Sequence, residues 1–229
     1  MVLEHYGIPT APFVCMPPRT SWPTSGCCPI AIIEKSRHRQ ALQSFPLFVK
    51  PSSVSTGIGI SQLNKVKSQS ELVDVVEEIS KRYPTQTILI EQFLGGREFT
   101  VGILGTGVDA RVIGVRELVF LKDNPQFPID PTHPYDTHDS HLLDLDVYGR
   151  DLKHQWSPNP QHVDIDPNNT VGQAVAEVAL QSWRLLGCRD GGRIDIRHDV
   201  KGPAAIPNFI EVRKLLQSYE ATLRISFAG

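Results

Sequence analysis

Two short stretches near the C-terminus carry residues that could bind a metal ion. Residues 192–197 read Gly-Arg-Ile-Asp-Ile-Arg, and residues 209–213 read Phe-Ile-Glu-Val-Arg. Both alternate apolar and polar side chains with the period of a half-buried strand. The core side is then predicted to hold Ile194, Ile196, Ile210 and Val212. Asp195 and Glu211 are expected together on the opposite face, with their carboxylates directed at one point.

A pair of converging carboxylates is typical of a site that holds Mg²⁺ against nucleotide phosphates. Mg²⁺ takes oxygen ligands and is usually bound by one or two carboxylates together with phosphate oxygens, and Mn²⁺ accepts the same ligands. Arg213 shares the predicted face with Glu211, although a guanidinium cannot ligate a metal ion. The alternative interpretation of Asp195 and Glu211 is a pair of exposed hairpin carboxylates.

The composition favours a globular protein that acts on small molecules. The chain has 229 residues and 40% hydrophobic content, which suits one large domain or two small ones. A formal charge of −2, without long Lys/Arg blocks, argues against a nucleic-acid partner. No apolar run is long enough to span a membrane, and the N-terminus lacks the features of a signal peptide. These features predict a soluble cytoplasmic protein without a membrane partner.

The cysteines and histidines form no clear disulfide or metal pattern. Free thiols are expected because the four cysteines lack a C-x-x-C spacing; they are Cys15, Cys27, Cys28 and Cys188. Residues 133–141 contain three histidines and two aspartates, which is compatible with a transition-metal site. The prolines in and before this segment, and its lack of apolar periodicity, favour a solvated loop.

An apolar strand precedes a loop that is suited to phosphate binding. Residues 47–49 are Leu-Phe-Val and lead into Lys50 and a proline, whereas residues 52–60 are small, hydroxylated and rich in glycine. Such a loop, which includes Thr56 and Gly57, can approach phosphate oxygens closely and present backbone N–H groups to them. The alternative is a surface lysine at a strand end, followed by a flexible turn.

Two helices and several further strands are predicted from periodicity and end signals. The first helix begins at a capping box formed by Ser68 and Glu71, and the second begins at residues 168–170 and ends at Gly187. Residues 121–167 are polar and rich in proline, and are predicted to be a long loop. Further strands are predicted at residues 87–90, 98–104 and 110–118, the last two as a hairpin.

The order of these motifs resembles the ATP-grasp superfamily, and most closely the D-alanine:D-alanine ligases. The motifs are a strand with Lys-Pro and a small-residue loop, the sequence Glu-x-Phe-Leu-x-Gly-x-Glu-Phe-Thr-Val, a Gly-Arg-Ile-Asp strand and a Phe-Ile-Glu-Val strand. The resemblance implies an α+β fold with two lobes that clamp a nucleotide, without the family's N-terminal Rossmann-like domain. It divides the chain into a lead-in at residues 1–20, a small lobe with the phosphate loop at 21–94, and a large lobe with the metal-binding hairpin at 95–229.

The activity implied by the resemblance is ATP-dependent ligation of a carboxylate to an amine. Two D-alanines would give a dipeptide, ADP and phosphate, with ATP and Mg²⁺ or Mn²⁺ as cofactors and a small amino acid as substrate. A homodimer is compatible with this activity. Two alternatives stay open: a non-catalytic ATP-grasp remnant that binds nucleotide or nothing, and a ligase for another small amino acid.

The resemblance also implies a role for each motif residue. Lys50 matches a lysine that reaches the α and β phosphates, Glu91 a contact to the adenine amino group, and Glu98 an acceptor for ribose hydroxyls. Lys153 matches a second phosphate-binding lysine. The full set of implied ATP-binding residues is Lys50, Thr56, Gly57, Glu91, Gln92, Leu94, Glu98 and Lys153.

Arg193 is the implied catalytic residue, because its guanidinium would stabilise the negative charge of an acyl phosphate and a tetrahedral intermediate. Asp195 and Glu211 are the implied metal ligands. Two of the chain's departures from the family pattern fall within the motifs themselves. Arg213 stands where the family has the asparagine of Glu-x-Asn, a neutral oxygen ligand, and Val54 stands where the phosphate loop has an acid.

Overall fold

The computed structural model describes residues 2–52, 62–121, 159–166 and 168–214. In these ranges the chain forms two antiparallel sheets, each packed against helices. The α-helices are α1 (Val2–His5), α2 (Pro29–Glu34), α3 (Arg39–Leu42), α4 (Gln69–Arg82) and α5 (Thr170–Leu185). The strands are β1 (Phe13–Met16), β2 (Leu47–Pro51), β3 (Lys65–Val66), β4 (Ile88–Gln92), β5 (Glu98–Leu104), β6 (Arg111–Leu121), β7 (Asn159–Ile165), β8 (Gly191–His198) and β9 (Pro207–Lys214).

The smaller sheet has the strand order β1-β4-β2-β3 and packs against α2 and α4. Alternation along β2 turns Leu47 and Val49 into the core, where both are fully buried, and leaves Phe48 and Lys50 on the other face. Helix α4 covers this core with Leu72, Val76 and Ile79. The Lys50 side chain is therefore held away from the core on a well-packed strand.

Helix α4 begins and ends where the sequence predicts. Ser68 Oγ accepts a hydrogen bond from the backbone N–H of Glu71 at 3.2 Å. The Glu71 carboxylate accepts one from the N–H of Lys67 at 2.8 Å, one residue further back than in a standard capping box. The helix ends at Arg82, two residues before Pro84.

The larger sheet has the strand order β7-β6-β5-β8-β9 and packs one face against α5. The side chain of Asn169 caps α5 and accepts a hydrogen bond from an N–H of its first turn at 2.7 Å. Trp183 is fully buried in this core, and its Nε1 donates to the backbone oxygen of Gly105 at 3.0 Å. The Trp183 ring also packs so closely on Gly192 that a Cβ there would lie 2.8 Å from it. This contact fixes the start of β8.

The prediction of a loop throughout residues 121–167 was wrong at its C-terminal end. Residues 159–165 form β7, which pairs antiparallel with β6 from the Val115–Ile165 pair to the Leu121–Asn159 pair. The strand is at the edge of the described sheet, which is where proline is tolerated within a sheet. Few apolar residues are needed at an edge, which is why the sequence pattern did not reveal the strand.

The prediction of Ile210 on the core side was also wrong. Asp195 lies opposite Glu211, whereas Ile196 lies opposite Phe209, so Ile210 is an extra residue in a β-bulge. A bulge shifts the alternation by one residue. Phe209 therefore packs against the core, and so does Val212, as predicted. Ile210 lies instead on the same face as Glu211 and lines the cleft.

A short joint of residues 93–97 connects the two sheets and is bonded on both sides. The N–H of Phe93 donates to the backbone oxygen of Pro46 at 3.2 Å. The N–H groups of Gly95 and Gly96 donate to the oxygens of Asp199 and His198 at 2.9 and 3.1 Å. A Cβ on Gly96 would lie 2.3 Å from a backbone oxygen, so only glycine fits there.

Expectations from composition can also be compared with the described residues. The four cysteines are free thiols, as predicted. No helix in the described ranges is long and apolar enough to cross a membrane. The histidine-rich segment 133–141 lies outside the described residues, and the division of the chain after residues 20 and 94 stays a prediction.

The packing around the joint predicts that replacement by alanine lowers stability at one of two adjacent glycines and not at the other. Gly96→Ala should lower the free energy of unfolding by about 1–3 kcal/mol, the usual cost of overpacking. Gly95→Ala is the matched control, because its Cβ would have no neighbour closer than 3.9 Å. Urea unfolding followed by circular dichroism measures both variants. Equal losses of stability would contradict the packing argument.

Candidate functional site

A cleft of about 330 Å³ lies between the two sheets. The smaller sheet and the joint contribute one wall, and β5, β8 and β9 contribute most of the other. Its volume is in the range of small-molecule sites. The lining residues are Phe48, Lys50, Glu91, Gln92, Phe93, Leu94, Glu98, Thr100, Leu118, His162, Arg193, Asp195, Arg197, Ile210, Glu211 and Arg213.

The centre of the large-sheet wall is a row of three polar residues on adjacent strands. The antiparallel register places Thr100 of β5 opposite Asp195 of β8, and Asp195 opposite Glu211 of β9. Thr100 Oγ1 donates to Asp195 Oδ1 at 2.8 Å. The two carboxylates therefore converge, as predicted.

Arginines lie on both sides of this central row. Arg193 of β8 is directly opposite Arg213 of β9, and on the other side Arg197 is directly opposite Glu98 of β5. Two like charges directly opposite each other destabilise a sheet unless other charges offset them. The carboxylates of the neighbouring row provide that offset.

Among the described residues, each of the four Lys and Arg side chains that line the cleft is paired with an acidic residue of the same cleft. As a result, these eight groups carry no net charge when all are ionised. A polyanionic ligand would therefore have to compete with these carboxylates for the N–H donors of the Lys and Arg side chains, or accept from N–H groups that the ion pairs do not use. The pairs are Lys50–Glu91 at 2.6 Å, Arg193–Asp195 at 3.3 Å, Arg197–Glu98 at 3.3 Å and Arg213–Glu211 at 2.6 Å.

Burial dominates the electrostatics of the carboxylate pair. It raises the pKa of Asp195 to about 6, although the charge of Arg193 and the hydrogen bond from Thr100 act in the opposite direction. Burial also acts to raise the pKa of Glu211, but the hydrogen bond and charge of Arg213, with a hydrogen bond accepted from Asp195, lower it overall. Asp195 is therefore a desolvated acid that gains from a nearby cation.

The pair fits a divalent cation that also binds oxygens of a ligand. Two carboxylates supply the ligand type that Mg²⁺ prefers, and within the described residues no group of three or more His, Cys, Asp or Glu could hold a metal ion. Ligand oxygens would therefore complete the shell. Arg213 opposes such an ion, since a guanidinium about 4 Å from a divalent charge is repelled by roughly 8 kcal/mol at an effective dielectric constant near 20.

The other end of the cleft is aromatic. The rings of Phe48 and Phe93 lie 6.2 Å apart between centroids. Lys65 Nζ lies 4.2 Å from the centroid of the Phe93 ring, and the Arg197 guanidinium lies 5.2 Å from it. Leu94 adds apolar surface to the lining. This end suits a flat ring system, whereas the arginine and carboxylate rows suit charged groups.

Comparison with known proteins gives the family. Residues 2–209 match the family described as D-ala D-ala ligase C-terminus. The chain belongs to this ligase family. The D-alanine--D-alanine ligase of Glaesserella parasuis serovar 5 is 30% identical over 183 residues, which cover 76% of this chain and 49% of the relative. That of Bordetella petrii is 30% identical over 154 residues, which cover 67% of this chain and 39% of the relative. The chain thus spans about half or less of the length of these curated relatives.

Solved structures support the same fold. The D-alanine--D-alanine ligase of Bacillus anthracis matches with a TM-score of 0.60 and 17% identity, over 93% of this chain and 54% of that one. The VanG D-Ala:D-Ser ligase of Enterococcus faecalis also matches with a TM-score of 0.60, at 20% identity, over 93% of this chain and 50% of that one. The α+β ATP-grasp fold expected for a D-Ala D-Ala ligase module is confirmed.

Most residues predicted from the ligase pattern line the cleft. Their assigned roles stay predictions, because position alone does not show a contact with a ligand. Thr56, Gly57, Lys153 and Val54 lie outside the described residues. Those that line the cleft are Lys50, Glu91, Gln92, Leu94, Glu98, Arg193, Asp195 and Glu211.

Several lining residues were not assigned to the site from sequence. Alternation from Glu98 puts Thr100 on the same face, and alternation from Asp195 does the same for Arg197, so both could have been found. His162 could not have been found, because its strand, β7, was not predicted. The cleft therefore contains more hydrogen-bond donors than the family motifs alone indicate.

The Thr100 hydroxyl is predicted to stabilise the buried carboxylate of Asp195. Thr100→Val should lower the free energy of unfolding by about 1–3 kcal/mol in buffer well above the Asp195 pKa, because the ionised oxygen loses its donor. Thr100→Ser keeps the hydroxyl and should lose less. Urea unfolding measures both variants. A serine variant as unstable as the valine variant would point to packing instead.

Proposed function

We propose that the cleft binds ATP with a divalent cation, and that this module carries out the ATP-dependent step of a D-alanine:D-alanine ligase. The observation that carries the proposal is the convergence of eight motif residues on one cleft with a charged end and an aromatic end. Phosphates suit the charged rows, and a purine ring suits the space beside Phe48 and Phe93. The ATP complex of the Bacillus anthracis ligase, a structural neighbour, supports nucleotide binding.

Lys50 and Glu91 form an ion pair at 2.6 Å, and Lys50 Nζ lies 5.9 Å from the centroid of the Phe48 ring. In the proposal Lys50 donates to the α and β phosphates, and Glu91 accepts from the amino group of the base. Glu98 accepts from ribose hydroxyls, for which its pair with Arg197 has to loosen. The backbones of Gln92 and Leu94 line the base. Thr56, Gly57 and Lys153 complete the proposed ATP-binding set.

Asp195 and Glu211 would hold Mg²⁺, or Mn²⁺ in its place. When bound, such an ion offsets the charge of the β and γ phosphates during phosphoryl transfer. The protein's own residues orient the groups around it: Thr100 fixes one oxygen of Asp195, and Arg213 fixes one oxygen of Glu211. Arg193 would donate to oxygens that gain negative charge as an acyl group is activated.

The proposed reaction joins two D-alanines. The carboxylate of the first attacks the γ phosphorus and ADP leaves; the amine of the second attacks the acyl carbon, phosphate leaves, and the amine loses a proton. The names of the curated relatives support this substrate. A ligase for another small amino acid is an alternative, and the D-Ala:D-Ser ligase among the structural neighbours supports it. A cytoplasmic location, where ATP is available, is part of the proposal.

A second candidate is a module that binds nucleotide without ligation. Two observations favour it: Arg213 opposes a cation beside Glu211, and the four cationic residues of the cleft are paired with its acids. Both features are compatible with binding of a nucleotide. Neither supplies a group that would position a second amino acid.

Binding of Mg-ATP is predicted to raise the midpoint of thermal unfolding, because a ligand at 100 times its dissociation constant stabilises a protein by about 2.7 kcal/mol. Lys50→Met should weaken ATP binding by roughly 10- to 100-fold through loss of a charged donor. Lys81→Met is the matched control, since Lys81 is exposed and pairs with Glu77 on α4. A wild-type protein with no shift in Mg-ATP would reject the nucleotide proposal.

Coupled release of ADP separates the two candidates. A ligase should release ADP from ATP when D-alanine is present and not when L-alanine replaces it. A normal thermal shift without D-alanine-dependent ADP would instead support the binding module.

A further inference from the structure

Arg213 is held close to the carboxylate pair. Its Nε donates to Glu211 Oε1 at 2.6 Å, and its side chain lines the cleft with 29% of its surface exposed. On the next strand Arg193 lies 3.3 Å from Asp195. Each carboxylate of the pair therefore already has a guanidinium beside it.

The opposition of two arginines across β8 and β9 is a second, independent observation. Arg193 and Arg213 occupy directly opposite positions in the register. Side chains at such positions lie close together, and like charges there repel each other. An anion between the two guanidiniums would be attracted by both of them, which makes the Arg193–Arg213 row a natural place for a phosphate group.

We propose that Arg213 is a resident counter-ion that shares the compensation of phosphate charge with a divalent cation at the carboxylate pair and donates directly to the phosphate oxygens of a bound nucleotide. The bond to Glu211 uses one of the five N–H donors of the guanidinium, so the same group can hold Glu211 and bind a phosphate. The planar fork of arginine matches two phosphate oxygens at once. This inference rests on the proposed nucleotide function.

The consequence is that nucleotide binding depends only weakly on added metal. Part of the phosphate charge is offset by a cation that belongs to the chain. An asparagine at residue 213 would remove that cation and leave a neutral oxygen beside Glu211. Such a variant would depend on Mg²⁺ to a greater extent.

The test is the affinity for ATP, measured by isothermal titration calorimetry in excess Mg²⁺ and in EDTA. The ratio of the two dissociation constants should be below about tenfold for the wild-type chain. Arg213→Asn should raise that ratio by about 10- to 100-fold, mainly through weaker binding in EDTA, which is the range for one hydrogen bond to a charged group. Arg213→Lys keeps the charge and should keep the low ratio.

Arg111→Asn is the matched control, because Arg111 is an exposed strand residue that does not line the cleft. It removes the same charge and should leave the ratio unchanged. An unchanged ratio in Arg213→Asn, or a high ratio in Arg213→Lys, would overturn the counter-ion role while leaving nucleotide binding intact. No ATP binding by the wild-type chain in either buffer would reject the nucleotide function and this inference with it.

Discussion

The register of β8 against β5 and β9 determines which groups meet in the cleft. It places Thr100, Asp195 and Glu211 in one row, with Arg193 opposite Arg213 on one side and Arg197 opposite Glu98 on the other. Because side chains alternate along a strand, a slip of one residue would turn this whole set towards the core. Two features oppose such a slip: the fully buried Ile194 and Ile196 on the other face, and the tight contact between Trp183 and Gly192. The chemistry of one face thus depends on the packing of the other.

Charge pairing follows from this arrangement. Buried or half-buried charges are costly unless they are compensated, and this cleft compensates its arginines and its lysine with its own acids. When such a cleft binds a charged ligand, some ion pairs within the protein are replaced by ion pairs with the ligand. Its affinity therefore depends on the difference between two sets of ion pairs, and side chains that touch no ligand can change it.

Elements with local signals were predictable from sequence. The capping residues and apolar stripes indicated α4 and α5, a short apolar run indicated β2, a hairpin signal indicated β5 and β6, and alternation indicated most of β8. The convergence of Asp195 and Glu211 followed from alternation near their positions, and the Lys50 and Glu91 positions followed from motif order. These signals need only a few neighbouring residues, so tertiary contacts did not override them.

Features that depend on a neighbouring strand were not predictable. The bulge at Ile210 is defined by its pairing with β8. Likewise, β7 forms a strand because it pairs with β6. The pairing of Arg197 with Glu98 depends on residues 99 positions apart. Trp183 is among the largest fully buried side chains, and its indole N–H donates to Gly105, 78 positions away. In each case the deciding partner lies far away in sequence.

The hydrogen bonds of the joint couple the width of the cleft to the position of β8. Gly95 and Gly96 are bonded to the carbonyls of Asp199 and His198, at the end of the strand that carries Asp195 three residues earlier. Rotation of the smaller sheet about the joint would stretch these hydrogen bonds and displace that end of β8. A motion that widens the cleft would therefore also displace Asp195 and its neighbours in the row, even when no ligand contacts them.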